Sequence, residues 1–142
     1  MAAALTPRRL SIVAALLVDS DGMALLVRKR GTTKFMQPGG KPETGESGAE
    51  ALSRELAEEL GLDIPPGQLT SIGRFEALAA NEDDTVVDCE VFDAPPITHD
   101  VEPLAEIEEL IWLDPAEPGY VDLAPLSSEL LLPLLAQRKS GT

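Results

Sequence analysis

Glu55, Glu58 and Glu59 stand within five residues, directly behind Arg54, and Gly39-Gly40-Lys41 and Glu46 lie just upstream. Like charges one turn apart cost a helix roughly 0.2–0.5 kcal/mol per pair, so the crowding calls for a reason. One reading is a solvated acidic face. The other is a ligand set. Several carboxylates beside the carbonyls and amides of a glycine loop form a hard oxygen site, which suits Mg²⁺ or Mn²⁺. Such an ion would cancel the repulsion and bridge to phosphate oxygens. It would also stabilise charge as a phosphorus–oxygen bond breaks and lower the pKa of a water. No cluster of His and Cys points to zinc, and the single histidine, His99, reads as a loop residue.

The segment that must position these groups is well marked. Ser47-Gly48-Ala49-Glu50 has the form of a capping box, so Ser47 is the expected N-cap. Gly61 stands where a C-terminal cap belongs, and Pro65 and Pro66 forbid continuation. At about 100° per residue, Ala49, Leu52, Leu56 and Leu60 share one arc that should pack on a sheet. The three glutamates fall on a neighbouring arc and are expected to point together off one side. The glycines before the helix let the backbone bend sharply or approach a ligand.

Elsewhere, Ser11 to Val18 and Met23 to Arg28 flank the turn signal SDG and read as a hairpin. Thr70 to Glu76 and Thr85 to Phe92 read as strands around the acidic tip NEDD, and ELIWL (109–113) as a short strand. SSELLLPLLAQ (127–137) reads as a closing helix that Pro133 kinks or interrupts. APPITHD (94–100) and DPAEPGY (114–120) are expected loops. The irregular alternation of strands and helices predicts an α/β fold, a mixed sheet with helices on its faces. No repeat or linker divides the chain, so residues 1–142 are expected to form one domain.

Composition narrows the partners. Eleven basic residues against 25 acidic ones leave a net charge of −14. That balance opposes bulk attraction to nucleic acid or to an anionic membrane, both polyanions. An anionic substrate would need local help from a cation or a few placed basic groups. No apolar run is long enough for a membrane helix. The early apolar stretch ends at Asp19 without a cleavage signal and reads as a strand, so a cytoplasmic location is expected. The lone Cys89 excludes an intramolecular disulfide and reads as a buried thiol.

The run Gly40, five residues, Glu46, seven residues, Arg54-Glu55-Leu56, one residue, Glu58-Glu59, one residue, Gly61-Leu62 resembles the signature of the Nudix hydrolases at every fixed position. The flanking MQPGGK and the later EIEELIWL are similar to the family as well. The resemblance implies a Nudix-type α/β/α sandwich with the box as loop–helix–loop. It implies hydrolysis of nucleoside diphosphates linked to another moiety, with Mg²⁺ or Mn²⁺. By similarity, Glu55, Glu58 and Glu59 bind the metal, and the Gly40 carbonyl can add a ligand. Arg54 would orient the glutamates through a charge-assisted hydrogen bond. Glu46 takes a supporting place. The general base would be one of the box glutamates or a later acid, with Glu106 the first choice and Glu90 and Glu76 behind it. An exposed acid in an acidic segment accounts equally well for Glu106. Homodimers are frequent in the family, so a homodimer is open.

A small-molecule nucleotide is the implied substrate, with Gly39 and Lys41 as candidate contacts. Base recognition needs a ring or an apolar slot. Phe35 and Phe75 are the candidates, although core packing accounts for either better. Asn81 can read a base edge or, more simply, make a turn. The proline that follows the box in ADP-ribose hydrolases is missing from IGRFEALAA (72–80), which counts against that substrate. The Pro- and Trp-rich marker of the NADH type is also missing. The sequence looks most like MutT-type enzymes, which convert a nucleoside triphosphate to the monophosphate and pyrophosphate. Nucleotide sugars and dinucleoside polyphosphates stay open. So does a binding module without catalysis, which need not keep Arg54 and all three glutamates. RNA 5′-end hydrolysis is disfavoured by the charge and by the lack of a basic stripe.

Overall fold

The computed structural model describes residues 8–79 and 84–140. Its centre is β1 (Arg8–Leu16), which runs parallel to β5 (Thr85–Asp93) over its whole length. On its other side β1 pairs antiparallel with the two-residue β3 (Gly39–Gly40), and β4 (Thr70–Leu78) closes the sheet against β5. The order is therefore β3-β1-β5-β4, a mixed four-stranded sheet. A second, two-stranded antiparallel sheet joins β2 (Ala24–Lys29) to β6 (Ile107–Leu113).

Alternation along β1 explains the layers. Val13, Ala15 and Leu17 face a core shared with α1 (Gly48–Leu60), while Ala14 and Leu16 face a second core shared with the closing helix. A strand buried on both faces reads as a continuous apolar run, which is what SIVAALLV shows. Leu52, Leu56 and Leu60 are fully enclosed in the first core. Leu131, Leu132 and Leu135 enter the second with Cys89, a free thiol that burial pushes up to about 12. The result is the expected α/β/α sandwich. None of the described helices is long and apolar enough to cross a membrane.

The expected hairpin is corrected. The turn exists, with Leu25 N–H bonded to the Leu17 carbonyl at 2.9 Å and a bridge between Val18 and Ala24. Beyond it the strands part into different sheets, because β3 and β5 already occupy both edges of β1. Pairing partners far along the chain outbid the sequence neighbour.

The closing helix carries the foreseen interruption in a specific form. Ser127–Leu131 makes a wide π turn, with Leu132 N–H bonded to the Ser127 carbonyl, before α2 (Leu132–Ser140) begins. Pro133 lacks an N–H and crowds the preceding turn, and a wider turn relieves that crowding.

Candidate active site

The local sequence builds the site from α1 backwards. The capping box forms in full: Ser47 Oγ accepts from Glu50 N–H at 3.1 Å, and the Glu50 carboxylate accepts from Ser47 N–H at 2.8 Å. Gly61 ends the helix in the left-handed region at φ 68°. With both ends fixed and the leucine stripe buried, the phase of the charged residues is fixed too.

Arg54 is the hub of that charged face. Its Nε and Nη2 bind both oxygens of Glu46 at 2.8 and 3.0 Å, and Nη1 binds Glu55 at 2.9 Å and Glu58 at 3.4 Å. Nη2 also reaches the Lys41 carbonyl at 3.2 Å, tying the helix to the glycine loop. The Arg54 bonds hold the Glu46 carboxyl well down, at about 2. Glu46 and the acids around it raise the guanidinium above its ordinary value.

Glu55 and Glu59, one turn apart, face the loop. Gly40 makes room for Glu55: a Cβ there would lie 2.5 Å from the Glu55 carboxyl carbon. Glu59 is 2% exposed. Its Oε1 accepts from Gly39 N–H at 3.3 Å, and its Oε2 is buried with no partner. Burial first, and the neighbouring Glu55 charge second, push the Glu59 carboxyl far up. Two close carboxylates, one with an orphaned oxygen, fit a divalent cation, which would supply the missing partner and remove the repulsion.

Glu58 is placed differently from expectation. Its side chain is 53% exposed and lies on the Arg54 side of the helix rather than in the cleft. The helical repeat is the reason: residues 55 and 59 stack, while residue 58 sits about 60° round the axis. Among the described residues no three such groups are already gathered as a cation site.

The cleft beside Glu55 and Glu59 measures about 520 Å³. Gly39, Gly40, Lys41 and Glu106 all line it. Glu106 forms an ion pair with Lys29 at 3.4 Å, so of the three later acids it is the one brought to the site. Glu76 pairs with Arg9 at the far edge, and Glu90 lies against Gly48 at the start of α1. Phe35 and Phe75 do not line the cleft and pack against the second core instead, with Arg28 over the Phe35 ring at 6.0 Å. Asn81 lies outside the described residues. His99 is a loop residue, stacked on Trp112 at 4.0 Å and bonded to Asp19 at 2.8 Å.

Sequence reasoning missed Lys29 and Gln37, which also line the cleft. Lys29 gives a strongly acidic chain a second cation there beside Lys41. Its only signal in the sequence is its place at the end of a strand. Gln37 had none beyond standing next to PGGK.

Comparison with known proteins agrees with the fold. A family model described as the NUDIX domain matches residues 7–134. The chain is 30% identical over 132 residues to the CTP pyrophosphohydrolase of Escherichia coli strain K12, covering 89% of this chain and 92% of that protein. In structure it resembles the MutT protein of Methanosarcina mazei Go1, with TM-score 0.72, 23% identity and 95% of both chains covered. It also resembles a bifunctional NMN adenylyltransferase/ADP ribose pyrophosphatase of Francisella tularensis, solved with AMP and a manganese ion. That match has TM-score 0.65 and 18% identity, and it covers 92% of this chain and 42% of the other.

Proposed function

This chain belongs to the Nudix family and is a hydrolase of pyrophosphate bonds, and from that premise we propose that it converts nucleoside triphosphates to monophosphates and pyrophosphate, using Mg²⁺ or Mn²⁺. The observation that carries the reading is the cleft itself. Glu55 and the buried Glu59 face a glycine loop, with Lys29 and Lys41 beside them, in a chain whose net charge is −14. A space of about 520 Å³ suits a single nucleotide. Cytidine triphosphate is the first candidate, on the strength of the curated relative.

Glu55, Glu59, the Gly40 carbonyl and Glu58, by a rotation of its exposed side chain, would hold the metal. Once bound, the metal supplies positive charge to the phosphate oxygens and weakens the phosphorus–oxygen bond. The protein's own groups do the rest. Lys29 and Lys41 draw the phosphate chain in. Arg54 holds Glu55 and Glu58 in place. Glu106 or a box carboxylate takes a proton as water adds to phosphorus, and the bond to the departing pyrophosphate breaks. One triphosphate and one water give one monophosphate, one pyrophosphate and one proton.

The test is turnover with Mg²⁺ across common and oxidised (d)NTPs, ADP-ribose, nucleotide sugars and dinucleoside polyphosphates, with products identified, for wild type and Glu58→Gln. The exposure of Glu58 makes this variant safe for folding, so a fall of about a hundredfold in kcat reports its role at the metal. An unchanged rate removes Glu58 from the ligand set. A preference for ADP-ribose or a nucleotide sugar overturns the triphosphate reading.

A further inference from the structure

Arg28, Lys29 and Arg30 stand at the end of β2, and each meets an acid at or just before the start of β6: Glu109, Glu106 and Glu108 in turn. Of the three cations only Lys29 lines the cleft. The β2–β6 ladder slips at this point. Arg28 stands opposite Glu109 and Lys29 opposite Ile107, so one residue of β6 is passed over. A bulge of this kind re-aims side chains beside a site. Both backbones are pinned. Arg30 N–H bonds to the Glu106 carbonyl at 2.8 Å, and the Lys29 carbonyl accepts the Thr32 hydroxyl at 2.8 Å. The two side chains are held far less firmly. Their ion pair spans 3.4 Å, with the Lys29 side chain 35% and that of Glu106 59% exposed. A pair so open to water is weak, so a stronger partner can replace either member.

The Lys29 charge also bears on the box glutamates. Burial first and the Glu55 charge second push the Glu59 carboxyl up, and Lys29 is the largest influence in the other direction. We propose that Lys29 is an exchangeable counter-ion that gates Glu106. In the resting site its ammonium holds the Glu106 carboxylate. The phosphate chain of a nucleotide carries more negative charge than one carboxylate and draws the ammonium away, so Glu106 is freed only when substrate is in place. A divalent cation on Glu55 and Glu59 acts in the same direction, because like charges repel. The proposal rests on the nucleotide reading above and makes Lys29 a positioning residue for Glu106 as well as a phosphate contact.

The test is a double-mutant cycle over Lys29→Met and Glu106→Gln. Mn²⁺ binding is counted by electron paramagnetic resonance without nucleotide, and pyrophosphate binding is measured by calorimetry with a chelator present. Lys29→Met frees Glu106 and should tighten Mn²⁺ by about tenfold, while Glu106→Gln frees Lys29 and should tighten pyrophosphate by about tenfold. Each effect should shrink to about threefold or less when the other substitution is already present, because the partner it releases is then missing. Lys29→Arg should keep the wild-type values. Midpoints in urea should stay close to wild type in every variant, as an exposed pair implies. With saturating metal, Lys29→Met should raise KM for the preferred nucleotide by about tenfold and leave kcat within about threefold, since Glu106 is then free throughout.

Effects of equal size on both backgrounds would mean that the two side chains act independently, and the gate falls. A clearly lowered midpoint in Lys29→Met would make the pair structural and overturn it too, as would an unchanged KM. The binding arms do not depend on which nucleotide is hydrolysed. If wild type hydrolyses triphosphates and the cycle is additive, the gate alone is wrong. If the cycle shows the coupling and wild type hydrolyses no triphosphate, the triphosphate reading alone fails.

Discussion

At the residue scale, the two adjacent glycines before the helix do different work. A Cβ on Gly39 would stand 2.0 Å from the Val13 carbonyl oxygen, a backbone atom in the β1–β3 pair. The three atoms nearest a Cβ on Gly40 would all belong to the Glu55 carboxylate, the free end of a flexible side chain. Gly39→Ala should therefore cost stability, about 1–3 kcal/mol, read as a lowered midpoint in urea. Gly40→Ala should leave that midpoint nearly unchanged, because Glu55 can swing aside. Its cost should appear in kcat, about tenfold or more, because the displaced carboxylate leaves Arg54 and Glu59. Equal unfolding midpoints for the two variants would refute the distinction. The sequence already showed that this pair of glycines mattered. It could not show which one faced a strand and which faced a carboxylate. The same limit applies to Lys29, whose meaning depends on Glu106, about 80 residues away along the chain.

At the element scale, what was legible is what is local. The cap, the stripe and the stop of α1 are encoded within its own residues, and all three appear as expected. The five longer strands also lie close to where alternation and turn signals put them, whereas the two-residue β3 falls in what reads as a glycine loop. What the sequence hid was pairing: β1 and β2 are consecutive yet belong to different sheets, and β1 finds β5 about 75 residues on. Non-local pairing follows from the summed burial of both faces, which no window of sequence contains. The α1 cap offers a clean test of how much the site depends on its element. Ser47→Ala removes the bond to Glu50 N–H and should cost about 1 kcal/mol, which lowers Tm by about 2–4 °C in a chain of this size. Glu55 and Glu59 sit two and three turns further along, held by the buried leucines, so kcat at a temperature where the protein is folded should stay within about twofold. A large loss of kcat would mean that the helix start, and not its packed middle, sets the carboxylates.

At the scale of the whole molecule, Asp19 is a buried polar tie between the two sheets. It sits in the turn after β1, is 8% exposed, and accepts the N–H groups of Asp21 and Met23 at 2.9 Å each. Its other oxygen meets His99, whose ring stacks on Trp112 of β6, so one carboxylate links the first sheet's exit to the second sheet's face. Burial alone would raise the Asp19 carboxyl. The bonds from His99 and from the two backbone groups outweigh it, and the net position is below the ordinary value. A carboxyl lowered by folding contributes stability that is present above its unfolded value, near pH 4, and is lost as pH falls through the lower folded one. Asp19→Asn should therefore be less stable than wild type at neutral pH, and the gap should close as pH falls below about 4. Urea unfolding at a series of pH values from neutral to strongly acid measures this directly. The remaining acids set a background, since a chain of net charge −14 repels itself. Added salt should relieve that repulsion in both proteins alike, while the gap between them, which arises from a buried group, should change little with ionic strength. A gap that persists unchanged into acid, or that salt abolishes, would mean that Asp19 acts through surface charge and does not tie the sheets together.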